Sequence, residues 1–146
     1  MSNEPFSSTG PGTTALDRGD IVVLNRDMMF GIQIANVLRA SGFRVVPTST
    51  TRSFVDRLLD STSPAVLGIV NMVALVDWEL IGAMMAGDAP PPVLAFGPHV
   101  NAPLWRSARG AGVTRVVSNG DFHRDMLSLV ERYAHPGPPE RPTPVR

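Results

Sequence analysis

The sequence predicts an α/β fold, a three-layer sandwich of five parallel strands with helices on both faces. Two observations carry that expectation. Short apolar runs rich in β-branched residues alternate five times with segments of helical periodicity. The five pairs fit into about 115 residues, which leaves room only for short right-handed crossovers, and such βα units build a parallel sheet. No internal repeat points to a solenoid instead.

The elements follow in order. Ile21-Val22-Val23-Leu24 reads as a buried strand. Asp27 to Ala40 places Met28, Ile32, Ala35, Val37 and Leu38 near one side at helical spacing, and Ser41-Gly42 supplies a stop. Phe43-Arg44-Val45-Val46 is the second strand, followed by Pro47 and a helix from Thr51 whose Phe54, Val55, Leu58 and Leu59 fit the same period. The third strand is AVLGIVN, Ala65 to Asn71, too short for a helix and apolar on both faces. A helix from Asp77 to Ala86 contains Leu80, Ile81 and Met84. Pro92 to Phe96 is the fourth strand and Ala102 to Arg109 the fourth helix. Val113 to Val117 is the fifth strand, and Asp121 to Tyr133 the fifth helix. Residues 1–18 and the Pro-rich residues 135–146 lack periodicity and are expected to be disordered, leaving one domain over 19–134.

Composition removes several chemistries. The 146 residues contain no cysteine, so disulfides, thiolate metal ligands and a Cys nucleophile are excluded. All 13 basic residues are Arg, which removes Schiff-base chemistry and the phosphate-loop Lys. Thirteen acidic residues balance them, so a net charge of zero gives no overall pull toward nucleic acid or an anionic membrane. No apolar stretch approaches a membrane span and the N-terminus lacks a secretory pattern, so a cytoplasmic location is expected. The turn after the first strand, Asn25-Arg26-Asp27-Met28-Met29, has no glycine with which to approach a pyrophosphate, and no G-x-S-x-G elbow occurs.

What the chain resembles is the receiver domain of two-component response regulators, over roughly residues 19–134. IVVLNRDMMFGIQIANVLRASGFRVV is similar to that family's first βαβ unit, and SPAVLGIVNMVALVDWELIGAMM to the unit that carries the phosphoacceptor. PPVLAFGPHV resembles strand four and its loop, and RGAGVTRVVSNGDF the approach to strand five and its end. The resemblance implies a flavodoxin-like sheet of order 2-1-3-4-5. Residue by residue, the family's acidic pair falls on Asn25 and Arg26, its phosphoacceptor aspartate on Asn71, its strand-four hydroxyl on Gly97 and its lysine on Asn119. The aromatic switch position falls on Val116.

Those replacements remove the chemistry. Receiver phosphorylation needs a carboxylate nucleophile and a hard divalent cation held by oxygen ligands. An amide cannot become an acyl phosphate. At an effective dielectric near 20, two unit charges about 4 Å apart interact by about 4 kcal/mol, so Arg26 would repel a dication by roughly twice that. The expectation is a stand-alone pseudo-receiver, not an enzyme, with no metal and no cofactor. It would act as a phosphorylation-independent interaction or signalling module.

The remaining polar residues carry competing readings. Asn25, Asn71 and Asn119 read as loop caps with Arg26 paired to Asp27; the alternative is a small-anion or ligand site, or an enzyme's site, at the strand ends, using Arg26, Asp27 and His99. Asp77 before an apolar helical run reads as an N-cap and not as half of a carboxylate pair with Glu79. In the receiver family the face of helix four, strand five and helix five is the common docking and dimerisation surface. It maps here to Leu104, Trp105, Ala108, Arg115, His123 and Met126, and implies a protein partner or a second copy, with no direct nucleic-acid contact and no membrane.

Overall fold

The computed structural model describes residues 17–134. Its elements in chain order are β1 (Asp20–Leu24), α1 (Met28–Ala40), β2 (Arg44–Thr48), α2 (Thr51–Leu58) and β3 (Ala65–Asn71). They continue with α3 (Trp78–Met85), β4 (Val93–Gly97), α4 (Ala102–Gly110), β5 (Arg115–Ser118) and α5 (Asn119–Tyr133). The five strands are parallel, in the order β2-β1-β3-β4-β5. This is the expected sandwich and the expected strand order.

Each helix starts where a short polar side chain replaces a missing intrahelical acceptor. Asp27 accepts from Phe30 N at 3.0 Å, Thr50 from Ser53 N at 3.1 Å and Asp77 from Leu80 N at 3.1 Å. Asn101 accepts from Leu104 N at 3.2 Å and Ser118 from Asp121 N at 3.1 Å. Because Ser118 is both the end of β5 and the cap of α5, the fifth helix begins two residues before the expected Asp121. The second strand also runs beyond its expected end, through Pro47 to Thr48. Its place at the edge of the sheet makes a proline tolerable there.

Two cores lie on the two faces of the sheet. α1 and α5 cover one, built on Ile34, Leu38, Ile69, Phe96, Phe122 and Val130; α2, α3 and α4 cover the other, built on Phe54, Leu58, Val70, Met72, Ile81 and Ala108. The helical face expected of α1 needs correction. Ile34 and Leu38 are its buried residues, while Met28 and Ile32 are 79% and 49% exposed. The helix is apolar on more than one side, and its buried stripe is the one that faces both the sheet and α5.

The domain also begins earlier than the expected residue 19. Arg18 donates its backbone N–H to Gly42 O at 2.9 Å, pairs with Glu131 at 3.1 Å and lays its guanidinium 4.5 Å from the Phe43 ring centroid. Asp17 pairs with Arg44 at 2.6 Å. The rest of the segment assigned to residues 1–18, and the tail 135–146, lie outside the described residues. Beside Asp17, at the start of β1, Asp20 is buried and held by two guanidiniums, Arg44 from β2 at 2.6 Å and Arg57 from α2.

Candidate functional site

At the carboxyl ends of the strands, where open α/β sheets place their sites, β1 and β3 are neighbours with Leu24 opposite Val70. The next residues, Asn25 and Asn71, therefore meet. Asn71 Nδ2 donates to Asn25 Oδ1 at 2.9 Å, and Asn71 Oδ1 accepts from Val73 N at 3.3 Å. Asn25 in turn accepts from Asp27 N at 3.1 Å and donates to Asp27 O at 2.6 Å. Asn71 is 1% exposed. The centre of the crevice is thus a closed amide-to-amide contact that satisfies the polar groups of both residues.

Neither the cleft beside β5 nor the groove beside α1 is lined by Arg26, Asp27 or His99. Asp27 caps α1, Arg26 and His99 are exposed, and among the described residues the expected Arg26–Asp27 ion pair is absent. The Asp27 carboxylate is engaged instead by the first turn of α1, where it accepts from Phe30 N. Among the described residues no three His, Asp or Glu side chains come together. Nor is any helix among them long and apolar enough to cross a membrane.

Gly97, at the end of β4, lies against Met72. A Cβ at residue 97 would sit 2.7 Å from Met72 Cε and 3.2 Å from its Cβ. Met72 is itself buried, so its thioether fills the space a hydroxyl-bearing side chain would need. Sequence reasoning named Gly97 but missed Met72, whose only sequence signal is its position next to Asn71. Thr51, also missed, is buried at the start of α2 and accepts from Asp77 N at 2.9 Å, which ties the loop after β3 to the neighbouring helix.

Asn119 opens α5 with its Oδ1 buried and without a hydrogen-bond partner among the described residues; one turn later, His123 Nε2 is in the same condition. The His123 imidazole packs on aromatic rings, with centroids 4.6 Å from Phe30, 5.3 Å from Phe122 and 5.8 Å from Phe96. Burial penalises its charged form and holds its pKa below the ordinary 6.5. Well above about pH 6.5 the ring is neutral in folded and unfolded chains alike. As pH falls further the unfolded chain takes up the proton first, so stability declines until the lower folded-state pKa is passed. The urea midpoint is therefore expected to fall between about pH 7 and about pH 5, and His123→Phe to flatten that slope. An identical slope in the variant would assign the dependence elsewhere.

The expected docking residues separate into two groups. Ala108 and Met126 are core residues, 0% and 4% exposed, and His123 belongs to the aromatic cluster between α1 and α5. The family face mapped onto Ala108 and Met126 falls, at these two positions, on the inward side of their helices. Leu104 and Trp105 are partly buried on α4, and Arg115 is exposed on the edge strand β5. A cleft of about 530 Å³ does lie along this edge, between α4 and α5, lined by Trp105, Arg109, Arg115, Val116 and Asp121 among others. Trp105 Nε1 donates to Pro98 O at 3.0 Å, and the Arg109 guanidinium lies 5.2 Å from the Trp105 ring centroid. A hydrogen bond from Arg124 holds the Asp121 carboxyl below its ordinary pKa.

No protein-family model matches the chain, and no curated protein matches its sequence. Solved structures do resemble it. NtrX from Brucella abortus superposes with a TM-score of 0.65 at 16% identity, over 79% of this chain and 26% of that one. The chain thus spans about a quarter of the length of NtrX. A CheY-like protein, TadZ from Pseudomonas aeruginosa, gives 0.64 at 20% identity, over 80% of this chain and 99% of that one. The phosphorylated cyanobacterial phytochrome response regulator RcpA gives 0.66 at 11% identity, over 80% of this chain and 94% of that one. The strand order, the crossovers and these superpositions agree that the chain has the fold of response-regulator receiver domains.

Proposed function

We propose that this chain is a pseudo-receiver, a cytoplasmic signalling module that keeps the receiver shape and acts through a protein-binding face, without phosphorylation and without catalysis. The observation that supports this reading is the Asn25–Asn71 contact. RcpA is known in a phosphorylated form; the corresponding centre here is two amides bonded to each other, with Met72 packed where the strand-four side chain would stand. A nucleophile, a cation cage and a responding hydroxyl are replaced together. The expected result is that acetyl phosphate with Mg²⁺ leaves the intact mass of the protein unchanged. An adduct of about 80 Da, stable or hydrolysable, overturns the proposal.

The binding face in this reading is the cleft along β5. It offers the features of a small interaction site: an aromatic anchor in Trp105, cations in Arg109 and Arg115, and an unpaired strand edge. The partner is another protein or a second copy of the chain, and the zero net charge speaks against nucleic acid. If the partner is a second copy, sedimentation across a dilution series gives a concentration-dependent mass that Arg115→Glu lowers. A monomer at every concentration restricts the reading to a partner protein.

A further inference from the structure

α1 leaves part of the edge strand uncovered. On the side of the helix toward β2 stand Gly31 and Ala35, four residues apart and too small to fill the space above Val45 and Pro47. The result is a groove of about 320 Å³, at the lower end of the roughly 300–1,000 Å³ typical of small-molecule sites. Its lip carries Met28 and Ile32, the two residues whose exposure departs most from the expected helical face. An apolar trough on a surface is stabilised by whatever covers it.

Polar chemistry sits at one end. Among the described residues, Arg39 is the sole charged one lining the groove. Its Nη2 makes one long bond, 3.4 Å, to Val45 O, and among the described residues no carboxylate pairs with it. Asn36, three residues earlier and so on the same side of the helix, also lines the groove and makes no side-chain hydrogen bond among the described residues. An apolar trough closed at one end by a guanidinium and an amide complements a molecule with an apolar body and a single anionic head.

We infer that this groove binds a small amphiphilic monocarboxylate, its apolar body along Ala35, Val45 and Pro47 and its carboxylate on Arg39 and Asn36. One guanidinium matches one carboxylate in a two-point contact; a multiply charged phosphate would leave charge uncompensated. Asn25 lines the far end of the groove and also accepts from Asn71, so an occupant would touch the residue that closes the strand-end crevice.

The test uses the full chain, labelled with ¹⁵N, titrated with decanoate below its micelle concentration and, in parallel, with decanol. Saturable binding of decanoate is expected, with amide shifts confined to residues 23–39 and 45–48 and a rise in melting temperature that follows ligand concentration. Ala35→Leu fills the trough and is expected to abolish binding. Arg39→Gln, on the surface and harmless to folding, is expected to weaken decanoate about tenfold or more and to leave decanol unchanged. No saturable binding in the millimolar range overturns the inference. So does binding that Ala35→Leu leaves intact in a folded variant, or equal affinity for decanoate and decanol. Shifts spread over the whole outer face of α1 would mark a macromolecular docking surface instead, and also overturn it.

Discussion

Asp20→Ala is expected to lower the free energy of unfolding by about 3 kcal/mol, a large fraction of the roughly 5–15 kcal/mol that holds a domain of this size together. The carboxylate is buried at the first position of β1 and contacts guanidiniums from β2 and α2. Removing it leaves two cations facing each other. Their environments differ, and this decides how the loss divides. The Arg44 side chain is 60% exposed and has Asp17 as a second partner, so it can turn to water. Arg57 is 20% exposed and is fixed by bonds to Ser63 O at 2.6 Å and Ser63 Oγ at 3.1 Å. It stays beside the vacated site. The Arg57→Ala variant is accordingly expected to cost several times more than Arg44→Ala, whose exposed, solvent-screened pairs contribute little. Urea unfolding of the three variants measures this directly. A loss below about 1 kcal/mol for Asp20→Ala would remove the carboxylate from any structural role.

Asp20 also marks a limit of what the chain discloses before folding. An acid just ahead of a hydrophobic strand looks like solvated loop, and only the pairing of β1 with β2, with Asp20 opposite Arg44, encloses it. Strand and helix existence was legible throughout, because AVLGIVN and its counterparts are short runs rich in β-branched residues that alternate with segments of helical period. Facing was less so. α1 is apolar around much of its circumference, so of the residues that periodicity places near one side Leu38 is buried while Met28, Ile32 and Val37 are exposed, and packing against the sheet and α5 buries Ile34 beside Leu38. On α4 and α5 the mapped family face named Ala108 and Met126, but only the packing of those helices on the sheet turns the two residues inward. That the strand ends carry the amides Asn25 and Asn71 was readable from residue type alone. That Asn25 and Asn71 bond to each other was not, since it depends on β1 lying beside β3 in one register.

That bond makes Asn71→Asp the sharpest test of the strand-end crevice. Asn71 Nδ2 is a donor directed at Asn25 Oδ1, and the substitution puts an acceptor in its place. Asn25 can turn its amide to donate, but its Nδ2 then leaves Asp27 O and its oxygen leaves Asp27 N. If it does not turn, a polar group at a position that is 1% exposed loses its partner, at a cost of about 1–3 kcal/mol, and more while the new carboxyl is charged. If it turns, the loss is smaller, because Asp27 is exposed and its N–H can bond to water. Burial and the facing oxygen raise the pKa of that carboxyl above its unfolded value of about 3.9. Since the folded state then binds the proton more tightly, the deficit is smallest below about pH 4 and grows as pH rises through the raised pKa. Restoring an acid therefore weakens the fold at neutral pH. It is also expected to leave the protein unreactive toward acetyl phosphate, because Asn25 and Arg26 still stand where two carboxylates would hold the cation, and Met72 still occupies the space beside Gly97. Adding Asn25→Asp and Arg26→Asp to Asn71→Asp supplies three carboxylates, and that triple variant is expected to bind Mn²⁺ detectably by water-proton relaxation. If the single variant alone takes up a phosphoryl group, a cation site already exists at the strand ends and the pseudo-receiver reading is wrong.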